Sequence, residues 1–300
     1  MLKNKKMNIL IAAFMVMTLV LAGCSSNNNA NGTSGEKAKK IKLAYVAWDS
    51  EIASTNVVKE VLESKLNYKV EMLQVDAGPM YVGVADGSVD GMVSAWLPST
   101  HGENYYEPNK DKLEDLGANL IGTKNGLVVP TYMDIKTIED LKKEDVGKSV
   151  DHTITGIEPG AGIMSQAEKA ITEYDLNKWN LLGSSSSAMV KVLQDAYAKK
   201  EPIVITGWTP HWMFNDMELK YLDDPKKVFG GNEEIHTLVR LGLKEDHPAA
   251  YRFLDQFEWT PEDMESVMGD ISAGMPEEEA AKKWVEANEA KVNQWIAGIE

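Results

Sequence analysis

One cysteine, Cys24, stands in 300 residues, so no disulfide framework staples this chain and any catalytic thiol would have to be that one. Other marks of an enzyme are missing too. There is no Gly-x-Ser-x-Gly elbow and no His-Glu-x-x-His zinc pair, and the glycine-bearing turn at Gly156–Met164 lacks both the third glycine of a dinucleotide fingerprint and the Gly-Lys-Ser/Thr of a phosphate loop. No catalytic residue is nominated, and no metal or other cofactor is expected. Basic charge is scarce: 31 Lys and Arg face 46 Asp and Glu, a formal charge of −15. So acidic a chain is a poor partner for nucleic acid. No repeat of about 20 to 50 residues is visible, which argues against a solenoid.

What is present begins at the N-terminus. Lys3, Lys5 and Lys6 precede an apolar run from Ile9 to Leu21, and Leu21-Ala22-Gly23-Cys24 reads as a small-residue cleavage site. Residues 1–23 are therefore expected to be a secretory signal, too short for a stable transmembrane helix. The cleavage site resembles a bacterial lipobox, which implies lipidation of Cys24. Residues 24–39, polar and glycine-bearing, read as the lipidated cysteine and a flexible tether. No later apolar run reaches spanning length. The expectation is a globular body anchored by lipid at the outer face of the cell membrane. Loss of the three N-terminal lysines leaves 28 basic residues against 46 acidic ones, a formal charge of −18, which favours solubility.

From Lys40 the hydrophobic period alternates between strand and helix. Ile41–Ala47, Tyr68–Gln74 and Gly91–Trp96 read as strands, with helices over Ile52–Leu66 and Pro79–Ala85. Strands at Leu127–Pro130 and Thr237–Leu243 bracket a second series: strand Ser149–Ile157, helix Ile163–Glu173, strand Trp179–Leu182, helix Ala188–Lys199 and strand Pro202–Thr206. Helices over Pro248–Glu258, Pro261–Gly274 and Pro276–Ile299 follow, each with a proline near its first turn. Short βαβ connections imply parallel strands flanked by helices. Roughly 260 structured residues favour two lobes over one. The brackets put lobe one at 40–128 plus 242–300 and lobe two at 129–241.

Three tryptophans share one local setting, each at the end of an apolar strand and the start of a turn: Trp48, Trp96 and Trp208. Ligands of open α/β sheets bind outside the carboxyl ends of the strands, so three indoles delivered there would cage a quaternary ammonium group, which offers no N–H and is held by cation–π attraction and shape. Taken singly, each reads better as core packing; the argument is the shared context. Gly156-Ile157-Glu158-Pro159-Gly160-Ala161-Gly162-Ile163 is a strand, a Pro-Gly turn and a helix start, leaving N–H groups free for an anion, or simply a tight turn. His101 follows Trp96 by five residues and could donate to a carboxylate, although a lone loop histidine is more often a surface residue. His211 and Trp212 read equally as packing around their turn, and Asp49 and Glu51 read first as helix-start residues and second as partners for a cation.

At these motifs the chain resembles the substrate-binding lipoproteins of compatible-solute ABC importers that bind glycine betaine and proline betaine. The resemblance is carried by Ala44–Asn56, Ser94–His101, Gly156–Met164 and Thr206–Phe214. It implies an α/β, two-lobed periplasmic-binding-protein-like fold, each lobe a mainly parallel sheet flanked by helices and hinged around a ligand cleft. It also implies that Trp48, Trp96 and Trp208 form a prism around the trimethylammonium, while the backbone N–H groups of Gly162 and Ile163 and the side chain of His101 hold the carboxylate. Trp48 and Trp96 would sit on one lobe and Trp208 with the glycine turn on the other, so that ligand bridges the cleft. Some family members carry the two lobe segments in the opposite order, which makes boundaries copied from them unsafe. The implied function is a monomeric receptor that delivers glycine betaine to an ABC permease with its cytoplasmic ATPase. The alternatives are a receptor for proline betaine or carnitine, or an exported lipoprotein enzyme acting on a choline-like substrate.

Overall fold

Ile41, Leu43 and Ala44 are buried in the first strand, β1 (Lys39–Tyr45), which pairs in parallel with β2 (Tyr68–Gln74). The structure, a computed structural model, describes residues 39–231 and 233–299. The expected signal peptide, Cys24 and all of the expected tether but Lys39 lie outside the described residues. Between β1 and β2 runs α1 (Asp49–Ser64), which buries Val57, Val58, Val61 and Leu62. It begins earlier than the apolar period suggests, because Asp49 and Glu51 occupy its first turn, where the helix dipole favours negative charge. Helix α2 (Ala77–Asp86) leads into β3 (Gly91–Leu97), buried at every position. Then comes β4 (Leu113–Pro130), an 18-residue strand of which the apolar pattern reveals only the end. Its earlier part slips register against its neighbour at three places and mixes half-exposed polar residues with buried ones, so no period-2 signal survives.

The second series comprises α3 (Glu144–Ser149), β5 (Thr153–Thr155), α4 (Gly162–Glu173), β6 (Asn180–Leu182), α5 (Ser186–Lys199) and β7 (Ile205–Thr209). The strand expected over Ser149–Ile157 shrinks to β5 because α3 still holds Ser149 and the chain turns through positive φ at Asp151 and His152. The strand expected over Pro202–Thr206 lies further on, as β7, because its ladder to β4 begins at the Val128–Ile205 pair and continues through Asn125–Trp208. After it come α6 (Met213–Asp216), β8 (Leu219–Tyr221), β9 (Glu233–Arg240), α7 (Leu243–Asp246), α8 (Pro248–Gln256), α9 (Pro261–Ser272), α10 (Glu277–Ala287) and α11 (Glu289–Trp295).

The strands join in the order β2-β1-β3-β9-β4-β7-β5-β6, with β8 added beside β4. The outer strands pair in parallel, but β3–β9, β9–β4, β4–β7 and β4–β8 are antiparallel. The sheet is therefore mixed where a mainly parallel one was expected. Strand β9 pairs with β3 and with Leu113–Thr123 of β4. Its Ile235, Leu238 and Val239 are thereby buried in the first half of the sheet. The crossing from one half to the other occurs inside β4, between Thr123, opposite β9, and Lys124, opposite β7.

Helices α9 and α10 pack on α1, and α8 lies against β4 and β9. The single tail helix expected over 276–299 is two helices, because Asn288 leaves the helical conformation at φ −118° and ψ 35°, its backbone N–H and side-chain amide both donating to Trp284 O, at 3.0 and 2.8 Å. The break lets Trp295 stack on Trp284 at a centroid distance of 5.6 Å and donate its Nε1 to Glu258 O at 2.9 Å. Trp295→Ala is expected to lower stability by about 3–5 kcal/mol, measured by urea unfolding. A change below about 1 kcal/mol would show that the tail is peripheral to the fold.

Candidate functional site

The carboxyl ends of β1, β3 and β7 and the turn after β5 open onto one cavity of about 270 Å³, mouth included. Trp48, Trp96, Trp208, His101, Gly162 and Ile163, all nominated from sequence, line it together. So do Thr100, Asn125, Ile157 and Ala161, which sequence reasoning did not single out.

Each indole reaches the cavity differently. Trp48 is the residue before α1; its Nε1 donates across the cleft to the Glu158 carboxylate. Trp96 lies within β3, and its Nε1 donates to Glu51 Oε1 at 2.8 Å. Trp208 lies within β7, meets His211 edge-on at 4.9 Å, and has a buried Nε1 without a hydrogen-bond partner.

The turn after β3 is tied twice to its own strand. His101 N donates to Trp96 O at 2.9 Å, and Trp96 N donates to His101 Nδ1 at 3.1 Å. A backbone donor at Nδ1 assigns the proton to Nε2. That Nε2 is buried and has no partner among the described residues. Burial lowers the His101 pKa to about 3, so the ring is neutral and presents one N–H. The same turn is anchored from below by Glu233, whose carboxylate accepts Ser99 N at 2.9 Å, Thr100 N at 2.6 Å and Thr100 Oγ1 at 2.8 Å. Burial raises the Glu233 carboxyl, and these three bonds partly offset it.

Opposite this turn, α4 begins with Ala161 in the capping position and no side-chain cap. Among the described residues, no protein group accepts the N–H of Gly162 or Ile163, as is ordinary for a helix start and suited to an anion. Only glycine fits at 162: a Cβ there would stand 2.3 Å from Thr100 O and 2.6 Å from Thr100 Cγ2. Beside this contact the Tyr105 hydroxyl donates to Gly160 O, which also ties the two walls.

Asp49 supplies another tie between the walls. The Asp49 carboxylate accepts from Ser186 Oγ at 2.9 Å and Trp212 Nε1 at 2.8 Å, and lies 3.6 Å from His211 Nε2. Burial alone would raise the Asp49 carboxyl, but His211, Trp212 and Ser186 hold it well below the usual carboxylate range. His211 and Trp212 thus belong to this clasp at the cleft wall. The sequence signal for Asp49 and Glu51 was their place directly after Trp48; what it could not give was their partners.

The cavity offers three aromatic walls, one neutral N–H from His101 and two free backbone N–H groups, with no Lys or Arg in its lining. It suits a small zwitterion whose cation has no proton to donate.

Comparison with known proteins agrees with that chemistry. The glycine betaine/carnitine transport binding protein GbuC of Listeria monocytogenes is 54% identical over 160 residues, 53% of this chain and 53% of that protein, so the match spans about half the length of that relative. Lactococcal OpuAC, solved closed and complexed with glycine betaine, superposes with a TM-score of 0.82 at 47% identity, covering 86% of this chain and 99% of that one. The glycine betaine/L-proline-binding protein ProX of Borrelia burgdorferi gives a TM-score of 0.82 at 38% identity, covering 87% of this chain and 97% of the other. The mixed α/β architecture is thus that of periplasmic-binding-protein-like receptors. Residues 39–287 match the family described as the substrate-binding domain of ABC-type glycine betaine transport systems, and to that family this chain belongs.

Proposed function

We propose that the chain is an extracytoplasmic receptor that captures glycine betaine in this cavity and delivers it to an ABC permease driven by a cytoplasmic ATPase. The observation that carries the reading is the meeting of Trp48, Trp96 and Trp208 with His101 Nε2 and the N–H groups of Gly162 and Ile163 around one small cavity. The indoles take the trimethylammonium, each desolvated contact contributing about 2 kcal/mol. His101, Gly162 and Ile163 take the carboxylate, each hydrogen bond to a charged group contributing about 1.5–3 kcal/mol.

Two lobes, 39–123 with 233–299 and 124–231, close on the ligand about the crossing in β4. The Asp49 clasp, the Tyr105–Gly160 bond and the Gly162–Thr100 contact tie the walls in the closed form. Among the described residues no helix is long and apolar enough to cross a membrane, and lipid on Cys24 would hold the receptor at the outer face. A monomeric receptor rather than an enzyme is the reading that the matched family, a substrate-binding domain of a transport system, supports.

Calorimetric titration with glycine betaine tests the reading, with choline alongside at the same ionic strength. Saturable betaine binding is expected, with choline far weaker because it leaves the Gly162 and Ile163 donors unpaired; comparable choline affinity would refute the anion half of the site. Proline betaine keeps both charged groups and should compete, whereas carnitine is longer and should bind less tightly in so small a cavity. Trp208→Ala is expected to weaken betaine binding by tens to hundreds of fold, about 2 kcal/mol or more, and an unchanged titration would remove that indole from the cage. His101→Ala should weaken it by about tenfold or more, with choline unaffected. Gly162→Ala places a methyl against Thr100 and should abolish closure, seen as loss of binding and of ligand-induced compaction in small-angle scattering. Retained compaction would mean that the walls need not approach so closely.

A further inference from the structure

Two carboxylates stand behind the cage without a part in the reading above. Glu51 is fully buried in the first turn of α1. All its donors are neutral: Trp96 Nε1 at 2.8 Å and, at 3.4 Å each, the hydroxyls of Ser50 and Ser54. Among the described residues it pairs with no Lys, Arg or His. A buried anion without a cation is a costly group to keep, and a glutamine would accept the same indole hydrogen bond at lower cost. Burial raises the Glu51 carboxyl, and the bonds from Trp96, Ser50 and Ser54 oppose it. Glu158, half-buried in the turn before α4, does for Trp48 what Glu51 does for Trp96. Among the described residues Trp208, the third indole, has no acceptor.

A carboxylate that accepts an indole N–H pushes electron density into the ring and adds its own negative potential behind it. In a dry cavity that field is weakly screened. It deepens the attraction of the ring face for a cation and does nothing for a neutral group of the same shape. We propose that Glu51 and Glu158 are specificity-determining residues, selecting a quaternary ammonium over its uncharged isostere by polarising Trp96 and Trp48 through their indole N–H groups. The ligand's cation then supplies the counter-charge that the protein withholds from Glu51. Trp208, lacking an acceptor, contributes shape and contact area. This inference rests on the betaine-cage reading of the cavity.

The test compares Glu51→Gln, Glu158→Gln and the unaltered protein in calorimetric titrations with three ligands. Glycine betaine carries the cation and the carboxylate. Choline carries the cation alone, and 3,3-dimethylbutanoate carries the carboxylate with a tert-butyl group in place of trimethylammonium. Each substitution keeps an acceptor for the indole and removes the charge. Affinity for betaine and for choline is expected to fall about tenfold, while that for dimethylbutanoate stays within about twofold, so that selectivity for the cation collapses. An equal loss for all three ligands would reduce both residues to scaffolding and overturn the proposal, as would no loss for any. Should Glu51→Gln fail to fold, Glu158→Gln at the cleft carries the comparison alone. Failure of the unaltered protein to bind betaine would instead overturn the cage reading, and this inference with it.

Discussion

At Gly162 the amino end of α4 rests against the backbone of Thr100 with no room for a single added carbon, and the cleft takes its shape from that contact. The approach brings two unpaired helix-start N–H groups to the turn that carries His101. It also sets the distance between indoles arriving from opposite walls. The Thr100 turn can serve as a rigid stop because Glu233 holds it by three hydrogen bonds and His101 ties it back to Trp96 twice. A stop that is fixed beforehand spares the ligand the cost of ordering it.

The site uses one chemical device repeatedly: an indole N–H given to a carboxylate. Asp49 takes Trp212, Glu51 takes Trp96 and Glu158 takes Trp48. Two of these pairs cross between the walls and one lies within a wall, so the same bond serves both to fasten the cleft and to orient a ring. Four consecutive residues, Trp48-Asp49-Ser50-Glu51, supply a cavity wall, a clasp and a ring acceptor because they lie at the start of α1 at the mouth of the cavity.

Much of this was legible in the sequence wherever the signal was local. Trp48, Trp96 and Trp208 stood out because each closes an apolar run, and the 156–163 turn because its glycines precede a helical period. Pairings between distant segments left no trace: Glu51 lies 45 positions from Trp96, Asp49 lies 163 from Trp212 and Glu233 lies 133 from Thr100. The antiparallel centre of the sheet was hidden for a related reason. Irregular pairing in the first part of β4 erases the alternation that marks a half-buried strand, and nothing local tells β9 that its neighbours are β3 and β4.

Strand β4 has a thermodynamic meaning of its own. Its early residues hydrogen-bond to β9, and its later ones to β7 and β8. Neither half of the sheet can lose this strand without exposing the other, so the two halves melt as one cooperative unit rather than in sequence. A solute caught far from most of the core therefore protects all of it, by mass action on a single transition.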